Sequence, residues 1–199
     1  MQCVRRFDLL TVGHVTTRGS LLLVLGLTIC VLVAGAAQSS GAADPASEYE
    51  VKAAFLYNFT KFVEWPDTAF TDDKAPVVIC IFGNDPFGTT LDPMESMSAQ
   101  GRKFLINRCK SLDQLRTCHV VFISQSEKDR LATILAYLAK SRALTIGDME
   151  GFAEAGGMIN LYEAGNKIRF AINVDAAQSA GLRISSQLLA LAKIVKNPH

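Results

Sequence analysis

Four short apolar runs, VVICIF (77–82), FLIN (104–107), HVVFIS (119–124) and ALTI (143–146), alternate with stretches of helical periodicity. None shows the strict apolar–polar alternation of a half-exposed strand, so each reads as a parallel strand buried on both faces. The clearest intervening helix is expected over 126–140, capped by Ser126 and striped by Leu131, Ile134, Leu135 and Leu138. Further on, MINLY (158–162) and KIRFAIN (167–173) flank EAGN (163–166), the pattern of a β-hairpin with a Gly/Asn turn. The last stretch, 182–196, carries Ile184, Leu188, Leu191 and Val195 at helical spacing and is read as a helix. The fold class expected is α/β: a three-layer sandwich with a mainly parallel sheet, helices on both faces and a C-terminal antiparallel hairpin. Such sheets bind ligands beyond the carboxyl ends of their strands, here the loops 83–88, 124–126 and 147–157.

Ahead of the first run lies YEVKAAFLYNFTKFVEWP (49–66), with six of the chain's aromatic residues, among them its only Trp. Wound as a helix, it places Val51, Phe55, Phe59, Phe62 and Val63 on one arc, with Tyr57, Thr60, Lys61 and Glu64 opposite. Asp44-Pro45 and a capping box from Ser47 to Glu50 mark its start, and Pro66 its end. Lys52 and Asn58 interrupt the apolar arc. Either Lys52 snorkels and Asn58 caps a neighbouring loop, or both belong to a recognition surface. Aromatic residues anchor interfaces, so this helix is also the expected place for a protein partner or a second copy, with Tyr57 and Lys61 as the candidate contacts.

The N-terminus reads as an export signal. Arg5, Arg6 and Arg18 precede the apolar run LLLVLGLTICVLV (21–33), and Ala34, Gly35 and Ala36 supply the small residues of a cleavage site. That run is short of the roughly 20 residues a membrane span needs. The expected organisation is a signal peptide (1–36), a flexible leader (37–46) and a single domain (47–199), placed in the periplasm. Without residues 1–36, which hold three Arg and Asp8, the 20 basic and 19 acidic side chains become 17 and 18. A near-neutral domain of this kind has no electrostatic footprint for nucleic acid.

Catalytic patterns are missing. The GNDPFG loop (83–88) lacks the Lys-Ser/Thr of a P-loop and the glycine spacing of a dinucleotide site, and Pro86 is read as starting the next helix. A receiver-like phosphoacceptor would need Asp at the end of the central strand, where Ser124 stands. No nucleophile elbow, C-x-x-C or H-E-x-x-H occurs, so neither a hydrolase triad nor a zinc site has support, and no cofactor is expected. The acids Asp72, Asp73, Asp148 and Glu150 are read as solvated loop residues.

Five blocks in order carry a family resemblance: VKAAFLYNFTKFVEWP (51–66), VVICIFGNDPFG (77–88), CHVVFIS (118–124), LTIGDMEGFAEAGGMINL (144–161) and INVDAAQSAGLRISSQLLALA (172–192). They resemble the YfiR family of small secreted bacterial proteins. The resemblance implies a non-catalytic periplasmic repressor that binds the sensor domain of an inner-membrane diguanylate cyclase and lowers cyclic-di-GMP signalling. The alternative is a periplasmic small-molecule sensor or carrier serving a histidine kinase or a transport system.

Three cysteines follow the signal: Cys80, Cys109 and Cys118. An oxidising compartment favours one disulfide with one thiol left over, against the alternative of three small buried hydrophobes. Cys80 and Cys118, on two apolar strands, would meet if those strands are adjacent, and the resemblance points to the same pair. Some family members carry a further cysteine pair in the stretch that here reads GDMEGFAEAGGM (147–158), which has none. Arg183, Ser185 and Ser186, at the expected start of the last helix, are the candidates for a small anionic ligand, because a helix start offers free N–H groups and Arg a bidentate charge.

Overall fold

The computed structural model describes residues 45–196; the expected signal peptide and most of the leader lie outside the described residues. Helix α1 (Pro45–Phe62) opens with proline at its first position, where the missing N–H costs nothing. It ends before Pro66, because Val63–Glu64 (β1) turns away to pair antiparallel with Arg183–Ile184 (β9). The buried side of α1 is also rotated from the expected arc. Lys52, Ala53, Leu56, Phe59, Thr60 and Val63 are buried, whereas Val51 is 42% exposed. Small Ala53 and Thr60 permit close approach, and the Thr60 hydroxyl donates to the Tyr57 carbonyl at 2.6 Å, so its burial leaves no unpaired group.

The main sheet is built from β2 (Val77–Phe82), β3 (Ser98–Ala99), β4 (Arg102–Cys109), β5 (Val120–Ile123), β6 (Leu144–Gly147), β7 (Ile159–Glu163), β8 (Ile168–Asn173) and β10 (Lys193–Val195). Their spatial order is β10-β8-β7-β6-β5-β2-β4-β3. The pairs β2/β4, β2/β5, β5/β6, β6/β7 and β8/β10 are parallel, while β7/β8 and β3/β4 are antiparallel. Gly165 and Asn166, with φ of +57° and +56°, form the two-residue turn between β7 and β8. Positive φ at both positions matches the right-handed twist of the strands they join.

Strand alternation sends residues to two cores. Ile79, Ile81, Val120, Phe122, Leu144 and Ile146 meet α1 and the 3-10 segment Gly88–Ser96 on one face. Cys80, Phe82, Val121 and Ile123 meet the 3-10 segment Leu112–Thr117 and α2 (Leu131–Leu138) on the other. The expected helix over 126–140 is thus a 3-10 segment, Gln125–Arg130, followed by α2. Ser126 does not cap it; its hydroxyl accepts the Asn84 N–H at 2.9 Å. The loop after β6 closes over fully buried Phe152, and a Cβ on Gly147 or Gly157 would overlap that ring.

The expected last helix is broken. After α3 (Val174–Ser179), Gly181 takes φ +77°, a left-handed conformation that stops the helix, and the chain runs into β9. Only Ser186–Leu189 (α4) is helical before β10 joins the sheet beside β8.

The connector between β1 and β2 is held by a stack. Phe70 lies 4.4 Å from the His119 ring at an interplanar angle of 12°, and the Arg102 guanidinium lies over the Phe70 ring at 3.8 Å. Arg102 donates to the carbonyls of Asp72 and Ala75. His119 Nδ1 accepts the Val78 N–H at 3.0 Å, which makes Nε2 the protonated nitrogen that donates to Ala69 O at 3.1 Å. Burial lowers the His119 pKa from its ordinary value; the Ala69 bond opposes this and the Arg102 charge adds to it. A histidine lowered on folding contributes stability that is complete above the free value of about 6.5 and is lost as pH falls through the folded value. Urea unfolding of the wild type should therefore weaken more steeply on acidification below that point than unfolding of His119→Gln. Parallel profiles would refute this role for the ring.

Candidate functional site

In an open α/β sheet the ligand crevice lies where strand order reverses, here between the carboxyl ends of β2 and β5. That crevice is filled by the chain itself. A Cβ on Gly83 would lie 2.6 Å from Ser126 Oγ and 2.7 Å from Glu127 Cγ, and the Lys110 ammonium donates to Gly83 O at 2.7 Å. Arg108 donates to Asp85 at 2.7 Å and to Gly88 O at 2.6 Å, which ties the GNDPFG loop to β4.

The carboxyl end of β6 instead receives α1. Lys52 Nζ lies 2.6 Å from Asp148 Oδ2 and 2.5 Å from Glu48 Oε1, and the Tyr49 hydroxyl donates to the same Asp148 oxygen at 3.0 Å. The Lys52 and Asp148 side chains are each 5% exposed. Burial pushes the Lys52 pKa down, but hydrogen bonds to Asp148 and Glu48 outweigh it, so the ammonium is held above the usual lysine value. Burial, and then the Asp148 charge, push the Tyr49 phenol up to about 12. Asp148 Oδ1 has no hydrogen-bond partner among the described residues. Tyr49 meets Phe87 edge-on at 5.3 Å, and Phe87 meets Phe122 at 4.8 Å. Lys52 therefore neither snorkels nor faces a partner; it anchors α1 to the sheet. Asp148, read as a solvated acid, is the residue that sequence reasoning missed. The signal was the lysine inside an otherwise apolar arc, which requires a buried counter-charge.

One groove on this side remains open. It encloses about 370 Å³ between Glu48, Val51 and Phe55 of α1 and Glu163, Asn166, Lys167 and Ile168 of the hairpin. Phe55 lines it and packs on Phe59 and Phe170 at 5.7 and 5.5 Å.

The other candidates separate. Tyr57 is half-buried, packs edge-on against Phe104 at 5.8 Å and carries the Lys61 ammonium 5.0 Å from its ring centroid. Arg183 lies in β9 rather than at a helix start, and its side chain, 84% exposed, is 2.8 Å from Glu64. Ser185 caps α4 by accepting the Leu188 N–H at 3.3 Å, and Ser186 is exposed at the first position of that four-residue helix. The strand pairing of β9 holds Arg183 against Glu64 of β1.

Cys80 and Cys118 are bridged, with Cα atoms 5.9 Å apart, and Cys109 is a free buried thiol. These three form the one grouping with metal-ligand spacing among the described residues, and the disulfide leaves it a single titratable thiol.

A three-layer α/β domain with a closed switch-point crevice and an open helix–hairpin groove is the class these features define. The chain belongs to the YfiR/HmsC-like family, whose profile it matches over residues 49–193. No curated protein matches it. Among solved structures, it is similar to a conserved domain protein from Vibrio cholerae O1 biovar El Tor at 12% identity and a TM-score of 0.49, covering 75% of this chain and 60% of that one. An ABC domain from Streptococcus pneumoniae in complex with L-Trp gives 10% identity and a TM-score of 0.45, covering 59% of this chain and 55% of that one. The chain thus spans less than two thirds of either structure, and both likenesses are too distant to bear on function.

Proposed function

We propose that this protein is a periplasmic repressor that binds the sensor domain of an inner-membrane diguanylate cyclase and holds the enzyme inactive. The observation that carries this reading is membership of the YfiR/HmsC-like family across residues 49–193. The export signal expected over residues 1–36 supplies the compartment. The helix–hairpin groove is the partner surface: Val51 is exposed, Phe55 and Ile168 line an apolar slot, and Glu48, Glu163 and Lys167 rim it with charge. An apolar side chain of the partner, flanked by polar residues, suits that arrangement. Tyr57 and Lys61 are already engaged within the chain, which makes them secondary contacts. No catalysis is required of a repressor. Moving the cyclase from 99:1 active to 1:99 takes about 5.5 kcal/mol of differential binding.

A second reading, a small-molecule sensor accessory to a histidine kinase or transport system, is favoured by one feature. A cleft of about 550 Å³ at the amino ends of β2 and β5 carries Arg116, Lys140 and Arg142. The two readings separate in one experiment. Pull-down from bacterial membranes with the purified protein should recover a protein with a diguanylate cyclase domain, and Val51→Glu should lose it. Recovery of a histidine kinase or a transporter in its place would favour the second reading.

A further inference from the structure

The Sγ atoms of Cys80, Cys109 and Cys118 all lie within 4.8 Å of one another. Two are joined as the disulfide; the third is a thiol 3% exposed at the end of β4. Cys109 registers with Phe82, so Cys80 lies two residues away on the adjoining strand. Exchange between a thiol and a disulfide needs contact of the attacking thiolate with one sulfur and a setting that tolerates the thiolate released. Both bridged cysteines are buried in one apolar cluster, at 0% and 6% exposed, but Cys118 also borders a cleft. Cys80 is fully buried in an apolar cluster with Phe82, Leu115 and Val121, where a thiolate would be desolvated. Cys118 forms part of the wall of the 550 Å³ cleft that also carries Arg116, Lys140 and Arg142. The cationic lining of that cleft tolerates a leaving thiolate better than the closed apolar core does.

We propose that Cys109 is an exchange thiol that moves the disulfide from Cys80–Cys118 to Cys80–Cys109 and frees Cys118 at the cleft wall as a modifiable thiol. Cys109 gives up its proton, its sulfur attacks Cys80 Sγ, the bond to Cys118 breaks, and the released thiolate takes up a proton. One S–S bond forms as one breaks, so no oxidant or reductant is consumed. Burial raises the Cys109 pKa, which keeps the exchange slow in the resting protein. The freed Cys118 suits a small anionic disulfide, drawn in by the cleft's cations. Its sulfur would bond to one half of that disulfide and release the other half as a thiolate.

The test is alkylation of the native purified protein with iodoacetamide at mildly alkaline pH, followed by acid quench and non-reducing peptide mapping. Wild type should accumulate label on Cys118 together with a Cys80–Cys109 peptide pair. In Cys109→Ser and Cys109→Ala, both checked for native circular dichroism, Cys118 labelling should fall to background with Cys80–Cys118 retained. Label confined to Cys109 with Cys80–Cys118 intact, or no label on native wild type, would overturn the proposal. A Cys109–Cys118 pair would overturn the assignment of Cys118 as the leaving group.

Discussion

Replacing Asp148 with alanine should destabilise the domain by about 3–5 kcal/mol, because it leaves the Lys52 ammonium buried without its main partner. The Lys52 side chain is 5% exposed, and its remaining contact, Glu48, is itself 34% exposed and contributes less. That residual contact places the expectation toward the lower end of the range. The pair is not expected to be worth the same amount in net stability. Charges in an apolar setting are costly to bury, and well-packed apolar replacements of similar volume are often neutral or better. The orphan oxygen Asp148 Oδ1 makes that cost larger here. Lys52→Met combined with Asp148→Leu should therefore recover most of the loss seen in Asp148→Ala. Urea denaturation of Asp148→Ala and of the double variant measures this directly. A loss within about 0.5 kcal/mol for Asp148→Ala, the range of ordinary surface changes, would contradict the anchoring role of the pair.

Removing the disulfide should have an effect of similar size. Cys80 and Cys118 are 38 residues apart, and closing a loop of that length constrains the unfolded chain by about 4 kcal/mol in the chain-entropy account. Native stabilities of about 5–15 kcal/mol leave little margin after such a loss. Replacing both cysteines with alanine is the clean experiment, since Cys109 lies close enough to pair with whichever partner a single substitution leaves behind. The double variant should unfold at markedly lower urea than the oxidised wild type, and dithiothreitol should shift the wild type toward it. Coincident unfolding curves would mean that the bridge is energetically idle.

The sheet was legible in the sequence where burial on both faces dominates. VVICIF forms β2 at residues 77–82 as read, and the Gly165–Asn166 turn falls inside the expected EAGN segment. Elements decided by distant contacts were not legible. The large aromatic residues of α1 mark an amphipathic arc, yet Phe55 and Phe62 are only half-buried while Ala53 and Thr60 sit in the core. Residues 182–196 have helical spacing, but pairing of Arg183–Ile184 with β1 and of Lys193–Val195 with β8 captures both ends of the segment. Ser126 has the chemistry of a helix cap and spends its hydroxyl on Asn84 instead. The same limit applied to the site. Nothing local marks Asp148 as buried, because its partner lies 96 residues away.

Repression itself is measured by cyclic-di-GMP synthesis in membranes carrying the candidate cyclase, titrated with the purified protein. Inhibition should be saturable with wild type, retained in Arg183→Ala and lost in Val51→Glu. Cyclase activity unchanged at concentrations that saturate binding would contradict it.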